Sequence, residues 1–427
     1  MCFMLKRIFF SLSLASFFIF ISMGNLFRFL ENSLFSDNLI VSEALLYFFC
    51  FGSLFFVVIP KKAFLKLFSF LLVVVFSFLY GCMLNGFDLR ASLYALRLIL
   101  FGLSSYSLAL ICLELFQGSV EKFFFFLYKA YFLGAIIGFL LYIVFPSSSL
   151  LWDVLANYHI GFRGDPHEGR FVSVYFDPNY YCAIAGFAFL IASYLYQATK
   201  NLWYLCGCGV FFISGILTWS RSGIVLLCSV LFYKVFFGVC KGRYTKRGLL
   251  LCSVFCLGMP LFVLFYLEDM QFFIHRTLTF FEEDSALCRL ETFRLGLDLF
   301  FQNPLLGVGL GFLYQYTQGQ VSLSSLDSSL LSLLVQIGLI PFLLASLYVV
   351  YRGIGVMSVN SFWKQRKHNN DFFSWLIFYI GIVVIFSSQF NNILFYPFWL
   401  LPLLTTYVFI VRSLYLERQL PVSKTAQ

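Results

Sequence analysis

Charge is scarce in this 427-residue chain: Asp, Glu, Lys and Arg supply only 11% of it, against 61% apolar residues and 60 phenylalanines. A soluble domain carries roughly 25% charged residues, so a soluble globular class is excluded and the chain reads as a polytopic membrane protein. Metal-ligand spacing is missing as well. The twelve cysteines include no CxxC, and His159, His167, His275 and His368 are scattered, which leaves no zinc-type signature. Cys50, Cys112, Cys206, Cys208, Cys228, Cys252 and Cys256 fall inside apolar runs and read as small fillers. No small-residue cleavage site follows the first apolar run, so that run is expected to be a retained helix rather than a signal peptide. Internal repeats, low-complexity tracts and a separate soluble domain are absent too, and residues 1–427 are treated as a single membrane domain.

What is present is a series of apolar runs near 8–27, 39–59, 67–84, 93–113, 123–145, 180–197, 203–219, 222–239, 248–267, 328–350, 372–390 and 396–411. Crossing the hydrocarbon takes roughly 20 residues per helix, and lipid leaves no other way to satisfy the backbone. The expected fold is therefore all-α with about twelve transmembrane helices. Lys and Arg accumulate on the cytoplasmic side of membrane proteins. Placing both termini in the cytoplasm puts eighteen positive residues inside and eight outside, which supports that topology. Two outer segments, about 146–179 and about 268–327, are longer than a helix connection needs, and such loops are usually functional.

Lysine is missing from the outer face altogether. Its eight positive residues are Arg28, Arg90, Arg163, Arg170, Arg221, Arg276, Arg289 and Arg294. Arg presents a planar fork to phosphate or carboxylate where Lys presents a point charge. Anion recognition and simple pairing with nearby acids are the two readings of this bias.

The first outer loop contains GFRGDPHEGRFVSVYFDPNYY. Asp177-Pro178-Asn179 is a helix-start signal, and it also places Arg170, Asp177 and Asn179 at a bilayer-edge turn. Next, LTWSRSGIV puts Arg221 at a tight helical hairpin. An arginine there is costly unless it is paired, faces a wet cavity or snorkels to the interface, which makes it a functional candidate. In the second outer loop, apolar residues at 290, 293, 297, 300 and 301 predict an amphipathic helix with Arg289 and Arg294 flanking its stripe. That helix would lie at the membrane surface until Asn303-Pro304 stops it. The GVGLG that follows fails as a dinucleotide fingerprint, because its spacing is G-x-G-x-G and no βαβ unit surrounds it. Close backbone packing is the better reading of its glycines.

RLETFRLGLDLFFQNPLLGVGLGF followed by LDSSLLSLLVQIGLIPFLLA resembles the signature of the O-antigen ligase and O-antigen polymerase superfamily. GRFVSVYFDPN and WSRSG resemble two further motifs of it in the same order, so that the likeness covers about residues 160–350. The resemblance implies a bacterial inner-membrane glycosyltransferase of polysaccharide or lipopolysaccharide biosynthesis. Its donor would be an undecaprenyl-pyrophosphate-linked glycan, used on the periplasmic or outer face with no cofactor, no metal and no nucleic-acid partner. On that implication Arg221, Arg289 and Asp327 are the catalytic candidates, with Arg170, Asp177, Asn179, Arg294 and Ser328 binding substrate. Where ligases commonly carry His-Asn, eleven positions before Gly338, this chain has Asp327-Ser328. That pattern looks more like a polymerase, although Asp327 also fits an N-cap. A polymerase of repeat units, with a chain-length regulator and a flippase as neighbours, is thus the leading expectation. A ligase to lipid A core and a transporter or flippase of lipid-linked sugars are the alternatives.

Overall fold

The computed structural model describes residues 2–26, 41–57, 59–145, 169–240, 284–317, 326, 328–348, 367–390 and 392–419. Among the described residues there is no strand, and helices fall on every predicted apolar run except the one near 248–267, which lies outside them. The first half comprises α1 (Cys2–Met23), α2 (Val41–Leu54), α3 (Lys61–Asn85), α4 (Leu89–Leu115) and α5 (Val120–Val144). Farther along the chain come α6 (Pro178–Thr199), α7 (Leu202–Ile216) and α8 (Arg221–Cys240). Five helical stretches, Phe3–Met23, Leu67–Asn85, Leu89–Leu115, Val120–Val144 and Pro178–Thr199, are long and apolar enough to cross a membrane. The fold is that of an all-α membrane protein.

Local chemistry sets the helix starts. Asp88 caps α4 by accepting from the Ala91 amide at 2.9 Å, and Asn201 caps α7 by accepting from the Trp203 amide at 2.9 Å. Each satisfies an amide that the first turn leaves orphaned.

α6 is the centre of the bundle, since 78% of its spanning window is buried against 17% in α3. Its composition explains this position. Ala183, Ala185, Gly186, Ala188 and Ala192 keep its surface small, so that α5, α7, α8 and the later helix α13 (Lys367–Ile382) pack directly on it. Gly186 receives the Tyr379 ring, and Gly223 of α8 seats against Cys182. By contrast α3 leaves Phe68, Leu72, Phe76 and Leu79 exposed, the composition of a lipid-facing helix.

Arg97, which lies within a span, is neutralised. Its Nε and Nη2 donate to the two carboxylate oxygens of Glu43 at 2.8 and 2.6 Å, and the Tyr47 hydroxyl donates to the same carboxylate. A bidentate pair of this kind meets the requirement that an intramembrane charge be matched.

The second half departs from the sequence expectation at one place. The predicted single span 328–350 is divided into α11 (Ser329–Ile337) and α12 (Leu339–Tyr348) at Gly338, where φ is +75°. Before it lie α9 (Asp284–Gln302) and the short α10 (Leu313–Thr317). After it, α13 continues through a π-helical turn, Val383–Ser387, into Ser388–Phe390, and α14 (Pro397–Gln419) completes the described chain.

Candidate functional site

Two distant motifs meet at the N-terminal end of α6. The Phe171 amide donates to the Leu217 carbonyl at 2.9 Å, which lays the chain before α6 alongside the turn between α7 and α8. Arg170 then donates from Nε to the Thr218 carbonyl at 2.9 Å and from Nη2 to Asn179 Oδ1 at 3.4 Å. The same Asn179 oxygen accepts from Ser220 Oγ at 2.7 Å, and Ser220 Oγ lies 3.3 Å from Ser222 Oγ. Arg221, half-buried, is the first residue of α8 between those two serines. The guanidinium plane of Arg170 is thereby fixed, and the backbone on either side of Arg221 is pinned.

Backbone strain accompanies this knot. Ser173, Phe176 and Trp219 all hold left-handed φ values, +54°, +57° and +50°. Such conformations in bulky residues cost roughly 1–3 kcal/mol each and cluster at functional sites. Asp177 performs the capping role that its motif predicts, its Oδ1 accepting from the amides of Asn179 at 2.7 Å and Tyr180 at 3.0 Å.

The GVGLG loop is a packing device. Gly307, Gly309 and Gly311 have φ of +75°, +96° and +87°, a region that glycine enters without a Cβ penalty. A Cβ at Gly309 would overlap the Gly81 backbone of α3, and one at Gly311 would stand 2.9 Å from the Ala91 carbonyl of α4. Every amide from 307 to 312 has a protein acceptor. Val308 and Gly309 donate to the carbonyls of Val335 and Gln336 at 2.9 and 3.0 Å, Gly311 to Gln336 Oε1 at 2.9 Å, and Leu310 to Ser77 Oγ at 3.2 Å. Gly307 and Phe312 close turns onto Asn303 and Gly309. An anion cradle needs amides directed at the ligand, and these are directed at helix ends. The loop instead bonds the last carbonyls of α11, which is what allows that helix to break at Gly338.

The remaining candidates sit around α11. Ser328 is its N-cap, accepting from the Leu331 amide at 3.3 Å, and its hydroxyl also donates to Gln389 Oε1 at 3.3 Å. Asp327 lies outside the described residues, between the buried Leu326 and Ser328. α9 packs on α11 through Thr292, Gly296 and Leu299, where a Cβ on Gly296 would meet Leu331 at 2.6 Å. Its stripe of Leu290, Phe293 and Phe301 stays exposed, with Arg289 half-buried and Arg294 exposed.

A segment outside every sequence motif ties the two groups together. The Leu394 amide donates to Ser329 Oγ at 3.2 Å, while the Tyr396 ring stacks on Tyr180 with centroids 4.1 Å apart. Tyr396 and Asn25 both donate to the Tyr175 carbonyl, at 3.2 and 2.8 Å. Gln389, Tyr396 and Asn25 thus join Thr218 and Ser220 as site neighbours that sequence reasoning missed. For the first three no local signal existed, since their partners lie 61 to 221 residues away. No group of three His, Cys, Asp or Glu side chains that could hold a metal occurs among the described residues.

Residues 206–346 match the family described as O-antigen ligase. That match, over about a third of the chain, supports a likeness to the O-antigen ligase and polymerase superfamily. No curated protein and no solved structure matches the chain. The O-antigen ligase match takes in Thr218 to Ser222, α8, α9, the glycine loop and α11. It leaves out both Arg170–Asn179 and the 388–396 segment, the partners that complete the knot and join it to α11. Proteins of that family are membrane enzymes acting on lipid-linked glycans.

Proposed function

We propose that this protein polymerises undecaprenyl-pyrophosphate-linked oligosaccharide repeat units of an O-antigen, capsule or exopolysaccharide on the outer face of the bacterial cytoplasmic membrane. The observation that carries this reading is the knot of Arg170, Asn179, Thr218 and Ser220 around the start of α8. It fixes the Arg170 guanidinium beside the start of α8, where Arg221 stands, on the face expected to carry arginine but no lysine. Fixed guanidiniums are suited to a pyrophosphate leaving group, because preorganised charge stabilises a transition state without reorganising as it forms.

In the proposed reaction a sugar hydroxyl of one unit attacks the anomeric carbon of another. The bond from that carbon to the pyrophosphate oxygen breaks, its electron pair stays on the pyrophosphate, and the hydroxyl proton passes to Asp327. Arg170, Arg221 and Arg289 take up the developing charge, Arg294 adds a contact at headgroup level, and Asp177, Asn179 and Ser328 hold these elements in place. Twelve helices with both termini cytoplasmic would set the site outside, and a chain-length regulator and a flippase would be its functional neighbours.

Ligation to lipid A core is the second reading, favoured by the description of the matched family. It differs in the acceptor, and the absence of His at positions 327 and 328 speaks against it. The two are separated by supplying purified protein with lipid-linked repeat units alone. A polymerase lengthens them without nucleotide, whereas a ligase leaves them unchanged until lipid A core is added.

A further inference from the structure

The segment that joins the Arg170 knot to α11 has features that neither helix packing nor the pyrophosphate role explains. It begins in the π-helical turn Val383–Ser387, an element often retained at functional sites although it forfeits α-helical geometry. Ser387 is 4% exposed, and its hydroxyl has no hydrogen-bond partner in the protein. Asn392 Oδ1 is likewise buried and unpartnered. Leaving such groups unmatched costs about 1–3 kcal/mol each, a cost that a ligand hydroxyl would remove. Among these groups Gln389 holds the Ser328 hydroxyl at the N-terminus of α11, one residue from Asp327. At the other end of the segment the Tyr396–Tyr180 stack stands beside Asn179, with both rings half-buried.

We propose that Ser387, Gln389, Asn392 and Tyr396 form the saccharide-binding wall of the site, and that this wall holds the acceptor sugar whose hydroxyl is the nucleophile. The inference rests on the function proposed above and names where its acceptor lies. Planar amides and hydroxyls from Ser387, Gln389 and Asn392 are suited to the paired hydroxyls of a pyranose ring, and an aromatic pair offers the apolar face that such a ring also presents. Position argues for acceptor rather than donor. Arg170 and Arg221, two of the arginines that would take the pyrophosphate of the donor, lie on the α6–α8 side, whereas Gln389 lies against Ser328 at the start of α11.

Binding tests this without requiring turnover. Two probes are titrated against the full-length protein in detergent: lipid-linked repeat units isolated from the host, and undecaprenyl pyrophosphate with no glycan. The intact protein should bind the glycan-bearing probe about tenfold or more tightly than the bare one, the effect of one or two net hydrogen bonds. Asn392→Ala and Gln389→Ala should abolish that preference while leaving the affinity for bare pyrophosphate unchanged. In turnover assays the same variants should raise KM for the repeat unit more than they lower kcat. If the preference survives in both variants, or is absent from the intact protein, the wall is overturned. Parallel loss of both probes would show a structural role and overturn it equally. Intact, glycan-selective binding without elongation would instead fail the polymerase reading and leave the wall standing.

Discussion

At the scale of single residues, the arginines divide by what holds them. Arg97 is neutralised by Glu43 in a closed bidentate pair. Removing its partner by Glu43→Leu would leave the guanidinium unmatched within the span, and a lower unfolding temperature in detergent is expected. Arg170 is held by the Thr218 carbonyl and the Asn179 side-chain oxygen, and Arg221 begins α8 beside them. Replacing either with Lys keeps the charge and loses the fork. Turnover should fall about 10²-fold or more, the magnitude typical of losing one oriented donor to a transition-state anion, with the unfolding temperature little changed. Arg170 and Arg221 stood out in the sequence as candidates because the expected outer face carries arginine but no lysine. The fixing of Arg170 could not be read there, because it depends on the Thr218 carbonyl and the Asn179 amide, which no residue type announces.

At the scale of elements, the glycine loop and the break in α11–α12 are one device. The predicted continuous span 328–350 failed at Gly338 for a physical reason. A Cβ there would overlap the Leu305 carbonyl and stand 2.5 Å from the Gly307 amide, while Leu339 and Ile340 donate to the carbonyls of Pro304 and Leu305 at 2.9 and 3.2 Å. Apolar periodicity runs straight through such a break, since Leu339 and Ile340 are as hydrophobic as the residues before them. The close-packing role of GVGLG, by contrast, could be read in advance from its wrong spacing for a nucleotide loop. Tyr314 reinforces the arrangement: its hydroxyl, followed by the Ala91 amide, holds the Asp88 carboxyl below the ordinary carboxylate range at the turn between α3 and α4. Gly309→Ala and Gly338→Ala should each destabilise the protein by about 1–3 kcal/mol through backbone overlap, more where the left-handed φ adds strain. If the loop only packs, any activity lost by these variants at 37 °C should return on cooling, and a persistent fall in pyrophosphate affinity would contradict it.

At the scale of the whole molecule, the matched 206–346 region is an incomplete site. Arg170 and Asn179 reach it from the chain before α6, and Gln389 and Tyr396 from the chain after α13. The all-α membrane class followed from composition, because no soluble arrangement covers 61% apolar residues. The assembly of three sequence-distant segments did not, because tertiary pairing over hundreds of residues leaves no periodic trace. Topology is open to a direct check. A periplasm-dependent reporter such as alkaline phosphatase fused after Glu168 should be active and one fused after Arg418 inactive, and the reverse pattern would turn the site to the cytoplasm. The central claim is tested most directly by incubating the purified protein with lipid-linked repeat units, without nucleotide or lipid A core, and resolving the products by length. The account predicts a ladder of multiples of the repeat unit that Arg221→Lys abolishes; unchanged single units, lengthened by neither protein, would contradict it.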